Sequence, residues 1–423
     1  MKLHLFSVFF AILLPFASIS QKNTQGSLVI VGGGLEHDNK SVYGQMIALA
    51  GGADKATFAV IPSASGVSVQ SFMSFRNILR SYGVHTDNIH LIEIAMVDDD
   101  STKDVDESAW RNNGDDIRLA GMVRACSAVW FTGGDQSRTM KTLLRPDGSK
   151  TPVLEAVWDV YRSGGLIGGS SAGAAIMSET MIGGGSSMGA LLHGAITNYT
   201  GDDFPDSLGV WLTHGLGFFP AGIVDQHFEA RSRIGRLSIA LLNAKPQVTL
   251  GFGIDENTAV IYHSGKKTIT VAGASGVTLL NATDARISHI QERPKIENLS
   301  VSYLVEGDSY DVETGNTTPA FGKKPIRGNE RFNIPDPGQS GILSGHCTRF
   351  RDLITTGLID NAACDAVSNI SFFNKDTGFM VTISKTPLSS GFYDGQKPDN
   401  SRYTITRLRL DIIPVHIDID PLK

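Results

Sequence analysis

The stretch Gly165-Leu166-Ile167-Gly168-Gly169-Ser170-Ser171-Ala172-Gly173-Ala174-Ala175-Ile176-Met177 decides the reading of this chain. Gly165 to Gly168 is an apolar run that reads as a buried strand. Ala172 to Met177 are small, helix-forming residues. Between them, Gly169-Ser170-Ser171-Ala172-Gly173 matches G-x-S-x-G with Ser171 at its centre. Strand, sharp turn and helix form the setting of a nucleophile elbow. The glycines have a physical reason, because side chains flanking so sharp a turn would clash. A second match, Gly185-Ser186-Ser187-Met188-Gly189, has no strand before it and reads as an ordinary loop.

Outward from this elbow, short β-branched runs alternate with helical stretches from Ser27 to about Leu280. Strands are expected at Ser27–Val31, Thr57–Ile61, His90–Ile94, Ala128–Phe131, Leu166–Gly168, Ile223–Asp225 and Ala259–Tyr262. Helices are expected at Val42–Leu49, Val69–Tyr82, Asp116–Arg124, Ser137–Leu144, Leu154–Arg162 and Ala230–Leu242. Several strands are continuously apolar, which suits burial on both faces. The order predicts an α/β fold with a doubly wound, mostly parallel sheet. Ligands of such sheets sit beyond the C-terminal ends of the strands, so the residues there are the ones to inspect.

Two further segments lie at such ends, and a third lies in a loop just before a strand. Phe131-Thr132-Gly133-Gly134-Asp135-Gln136 follows an apolar strand, and its glycines let backbone N–H groups approach a ligand. With the N–H of Ala172, an N–H near Asp135 would complete an oxyanion hole. Asp225-Gln226-His227 closes another strand, and Arg231, Arg233 and Arg236 follow. His227 is then the base that a serine hydroxyl needs, beside guanidinium forks suited to carboxylates. Gly253-Ile254-Asp255-Glu256-Asn257 supplies a carboxylate, which a triad uses to orient its imidazole.

Together with Val31-Gly32-Gly33-Gly34, these segments resemble, in this order, the cyanophycinases within the S51 serine peptidases. The resemblance spans roughly residues 27–280, and Asp225 to Arg236 is its most specific part. It implies a class I glutamine amidotransferase-like (flavodoxin-like) fold with serine in place of cysteine. It also implies hydrolysis of the β-linked aspartyl-arginine polymer cyanophycin to β-Asp-Arg dipeptides from chain ends. Carried over by position, Ser171 is the nucleophile, His227 the base and Glu256 the third member. Gln136, Asp225, Gln226, Arg231, Arg233 and Arg236 would line the substrate site. A homodimer is implied by the resemblance alone. Two other readings stay open: a dipeptidase for short aspartyl or isoaspartyl peptides, and a non-catalytic polymer-binding protein on the same fold. No metal or organic cofactor is expected, since neither H-E-x-x-H nor paired C-x-x-C spacing occurs.

Composition bounds the rest. At roughly 100–200 residues per domain, the 423 residues allow two or three. Lys plus Arg is 37 and Asp plus Glu 43, a net charge of -6. That gives no basic excess for a phosphate backbone, so nucleic acid is not an expected partner. Lys2 followed by the apolar run Leu5–Ile19 and small residues to Ser20 reads as a signal peptide over residues 1–20. The mature protein is therefore expected to be secreted or periplasmic, with no membrane attachment after cleavage. Residues 21–293 form the expected catalytic domain. From 294 to 423 helical periodicity fades, and the tail reads as a β-rich extension. Cys126 reads as a buried thiol. Cys347 and Cys364, 17 positions apart, are a candidate disulfide for an oxidising compartment.

Overall fold

The computed structural model describes residues 26–201, 203–335, 349–395 and 402–418. The expected signal peptide, residues 1–20, and Cys347 of the candidate disulfide lie outside the described residues.

Five parallel strands form the centre of the first sheet: β1 (Ser27–Val31), β2 (Phe58–Ile61), β3 (Ile89–Leu91), β4 (Ala128–Phe131) and β5 (Leu166–Ser170), in the order β3-β2-β4-β5-β1. Leu28–Val31, β2 and β4 are buried throughout, as continuously apolar strands require when helices cover both faces. Four of the helices between β1 and β5 start at polar caps. Asn39, Asp116, Asp135 and Thr151 each accept a hydrogen bond from a backbone N–H of the following first turn. The α/β class is as expected.

Two expected strands sit differently. Thr258–His263 joins the first sheet against β1 but runs antiparallel, and Thr268–Gly273 continues the sheet beyond it. Ile223–Asp225 belongs to a second sheet, parallel to Leu250–Ile254. The chain passes from Leu250–Ile254 to Thr258–His263 through only Asp255, Glu256 and Asn257. A parallel crossover needs a dozen or more residues, so this corner switches sheets instead. It is also where Glu256 sits.

The tail is β-rich, as read, and its strands complete the second sheet. Arg293–Val305 pairs with Gly276–Asn281 on one side and with Thr404–His416 on the other. The expected division at residues 293 and 294 therefore falls at the first residues of a strand hydrogen-bonded to the preceding part. Leu237, Ile239 and Leu241 of the helix Ile234–Ala244 share one core with Val301, Tyr303, Ile405, Leu410 and Ile412. A third, small sheet holds Thr180–Gly185, Ala195–Ile196 and Val210–His214. Cys126 is buried, and burial pushes its thiol up to about 11.

Candidate active site

Ser171 turns the chain from β5 into the short helix Ala172–Ala175 with φ 55° and ψ −112°. That is a left-handed conformation, costing about 1–3 kcal/mol for a non-glycine residue and held only by its surroundings. Its N–H donates to Val31 O at 3.0 Å. A Cβ on Gly169 would lie 2.4 Å from Gly173 O, and one on Gly173 would lie 2.4 Å from Phe131 O. Both glycines of the motif are thus required by contact.

Ser171 Oγ lies 2.9 Å from His227 Nε2. His227 Nδ1 lies 2.5 Å from Glu256 Oε1. With Nδ1–H donated to the carboxylate, Nε2 is left to accept the serine proton. Burial holds the imidazole below its ordinary pKa, opposed by the Glu256 hydrogen bond and reinforced by the charges of Arg231 and Arg233. A neutral imidazole is the form a general base must take.

The loop after β1 holds these parts together. His227 N–H donates to Gly32 O at 2.6 Å and Asn257 N–H to Gly33 O at 2.8 Å. Gly33 has φ 102°, and a Cβ there would lie 2.3 Å from the His227 ring. Asn257 Oδ1 accepts from Glu36 N and from Asn39 Nδ2 at 3.1 and 2.7 Å. In sequence, Gly33 was visible only as part of a glycine run, and nothing signalled Asn257.

The oxyanion expectation needs one correction. Asp135 N–H donates to Ala64 O at 2.9 Å, and the Asp135 side chain caps Ser137 N. That donor is spent. Gly133 instead lies against the nucleophile, since a Cβ on it would be 3.3 Å from Ser171 Cβ. Among the described residues, neither the Gly133 nor the Ala172 N–H has a hydrogen-bond partner.

The charged cluster also divides. Asp225 has a fully buried side chain and is held by Arg236 in a fork, Nε to Oδ2 at 2.8 Å and Nη2 to Oδ1 at 2.5 Å. Arg236 Nη1 also donates to Gly185 O at 2.6 Å. Asp225 and Arg236 were expected to line the substrate site, and the structure spends them on each other. A buried carboxylate must be paired, and the nearest fork serves it. Arg233 donates to Gln226 O at 2.5 Å and stands 3.4 Å from Asp225. Burial pushes the Arg233 guanidinium down to about 10, still charged at neutral pH. Arg231 is exposed. Gln226 is buried with its Oε1 3.4 Å from Ser171 Oγ. Gln136 Nε2 donates to Ile182 O and Gly183 O, tying the Thr180–Gly185 strand to the site.

Ser187 was read as a loop residue with no strand before it. The strand Thr180–Gly185 precedes it, and the helix Ser187–His193 begins there. Its Oγ accepts from Gly235 N and Arg236 N and donates to Ser232 O. It anchors the loop that carries His227. On the other flank of Ser171 a cleft of about 410 Å³ is lined by Tyr43, Val67, Phe75, Thr132, Gly133 and Ser170. A larger cavity of about 820 Å³ touches none of the three relay residues and lies against Ser300, Ser302 and Arg409 of the second sheet.

Residues 28–270 match peptidase family S51. Cyanophycinase from Synechococcus elongatus is 31% identical over 271 residues, covering 63% of this chain and 72% of that protein. Cyanophycinase from Nostoc sp. is 31% identical over 277 residues, covering 64% and 80%. Cyanophycinase from Geminocystis herdmanii is 30% identical over 299 residues, covering 69% and 95%. A solved peptidase structure from an acI-B1 Actinobacterium aligns at 20% identity with a TM-score of 0.46, covering 69% of this chain and 98% of that one. The chain belongs to peptidase family S51 and is a serine-type peptidase.

Proposed function

We propose that this protein hydrolyses cyanophycin, multi-L-arginyl-poly-L-aspartate, to β-Asp-Arg dipeptides through an acyl-enzyme on Ser171. The observation that carries the reading is the relay of Ser171, His227 and Glu256, at 2.9 and 2.5 Å, on a chain about 31% identical to cyanophycinases over 271 residues. His227 Nε2 takes the Ser171 proton as Oγ bonds to the carbonyl carbon of the β-linkage. The oxygen of that carbonyl, now negative, accepts from the Gly133 and Ala172 N–H groups, with no reorganisation needed. The tetrahedral centre collapses, the C–N bond breaks, and His227 returns the proton to the leaving amine. Water, deprotonated by His227, then clears the ester and restores Ser171.

The polymer leaves a free α-carboxylate on each backbone residue and a guanidinium on each branch. With Asp225 and Arg236 paired to each other, exposed Arg231 and the partly free fork of Arg233 are the cations left for those carboxylates. The apolar N-terminus supports export, so the working form would begin near Gln21 and meet its polymer outside the cytoplasm.

Chain-length dependence tests the substrate. Initial rates on cyanophycin and on short isoaspartyl dipeptides should favour the polymer clearly. Turnover of dipeptides with intact polymer would contradict the proposal and favour a dipeptidase.

A further inference from the structure

The family match ends at residue 270, so it assigns nothing to the tail. Yet Arg351, in the tail, bonds the segment that carries His227 and, through Ser275, is linked to the one that carries Glu256, where Tyr303 Oη also donates to Asp255 Oδ2 at 3.5 Å. Arg351 lies in the short helix Phe350–Ile354. Its backbone N–H donates to Glu229 Oε1 at 3.3 Å, and its guanidinium Nη2 lies 3.6 Å from Glu229 Oε2. Its Nη1 donates to Ser275 Oγ at 2.8 Å. Ser275 Oγ donates in turn to Asp255 Oδ2 at 2.8 Å, and Asp255 Oδ1 accepts from Glu229 N at 3.1 Å. The contacts close a ring: Arg351, Glu229, Asp255, Ser275 and back to Arg351.

Position gives this ring its meaning. Glu229 is two residues after His227, and Asp255 immediately precedes Glu256. The Glu229 and Arg351 side chains are only 13% and 20% exposed, so their pairing is not the solvent-screened kind that contributes little. Asp255 is buried, and burial together with the Glu229 charge pushes its carboxyl up to about 6. Two acidic groups packed together need a cation, and Arg351 supplies it. A cavity of about 250 Å³ among Phe228, Tyr303, Phe350 and Arg351 leaves this region room to shift if the ring opens.

We propose that the C-terminal extension is a clamp on the catalytic machinery, with Arg351 as a positioning residue that fixes the His227 and Glu256 segments against Ser171. The proposal rests on the Ser171–His227–Glu256 relay and not on the identity of the substrate. Among the described residues, the hydrogen bonds that Arg351 donates and its ion pair go to Glu229 and Ser275 and not to the relay side chains, so its effect travels through Glu229 and Asp255.

The test uses the full mature chain and the variants Arg351→Ala, Arg351→Lys, Glu229→Gln and the double variant Arg351→Ala/Glu229→Gln. Folding is followed by near-UV circular dichroism and melting temperature. The main readout is the rate at which a fluorophosphonate probe modifies Ser171, which needs the relay but no polymer. The second is kcat and KM on a hydrolysed substrate. Folded Arg351→Ala should lose about tenfold or more in probe rate and kcat, as sub-ångström to ångström misplacement does, with KM within twofold. Arg351→Lys should recover part of the loss, and the double variant should be no worse than the worse single one. A folded Arg351→Ala with the wild-type probe rate would overturn the clamp. So would a rise in KM at unchanged kcat, or additive losses in the double variant. If Arg351→Ala does not fold, wild-type probe rates in Arg351→Lys and Glu229→Gln would overturn it equally. Failure on cyanophycin with normal probe labelling would sink the substrate and leave the clamp test standing. No labelling of wild type would sink the relay and the clamp together.

Discussion

Gly33 packs flat against the imidazole of His227, so closely that a Cβ on Gly33 would lie 2.3 Å from the ring. The glycine run after β1 therefore forms one wall of the site. Gly33→Ala must displace the imidazole or the loop, and it also strains a residue at φ 102°. The expected result is a loss of kcat/KM of about a hundredfold, read by steady-state kinetics, with a lowered melting temperature. Near-normal activity would mean that His227 does not work from the observed position.

The pH profile should carry the mark of a buried imidazole. His227 is held below its ordinary pKa chiefly by desolvation. It is therefore neutral and able to accept a proton down to a lower pH than a free imidazole, whose pKa is about 6.5. Activity should persist below that value as pH falls and be lost only through the lower one. The same shift makes the folded state bind fewer protons than the unfolded chain, so the His227 contribution to stability also declines as pH falls through this window. Glu256→Gln removes an influence that raises the pKa, so the acid limb should move further down while kcat falls by about a hundredfold or more. A limb that moves up on this substitution would contradict the assigned hydrogen bond.

The arginines should separate by role. Asp225→Asn leaves Arg236 and Arg233 buried without their carboxylate, and denaturant unfolding should show a loss of about 3–5 kcal/mol. Arg231→Ala, at an exposed position, should leave the unfolding curve unchanged and raise KM for the polymer. The reverse pattern would return Asp225 to the substrate site and remove Arg231 from it.

Export has its own measurement. Intact-mass analysis of the protein recovered outside the cytoplasm of a bacterial host should give a chain beginning near Gln21. Retention of residues 1–20 would mean an uncleaved leader.

The sequence was most legible where chemistry directly follows an apolar strand. Ser171 follows β5 and His227 follows Ile223–Asp225, so both could be read from a local pattern, whereas Glu256 was legible only as a loop acid before a strand and took its role from the family resemblance. The α-helices between Lys40 and Arg162 were legible through their periodicity. What was not legible depended on partners far away in the chain. Asp135 N–H is spent on Ala64 O, a distant backbone atom that no motif announces. A run of three arginines does not say which of them turns inward, and Arg236 does so because Asp225 is buried beneath it. The helix read as Ala230–Leu242 begins only at Ile234, because His227 and Ser232 adopt positive φ. The sheet switch at Asp255–Asn257 left no trace in hydrophobic pattern, since both flanking strands are equally apolar. The tail helix that carries Arg351 is five residues long, too short for a periodic signal.

The most direct measurement sets the mature chain from Gln21 beside its Ser171→Ala variant on insoluble cyanophycin and follows soluble product by mass spectrometry. The account predicts β-Asp-Arg dipeptide from the wild type alone, with the variant folded and binding the polymer equally well. Equal release from both would contradict Ser171 as the nucleophile. Binding by both with release from neither would contradict the hydrolysis of this polymer.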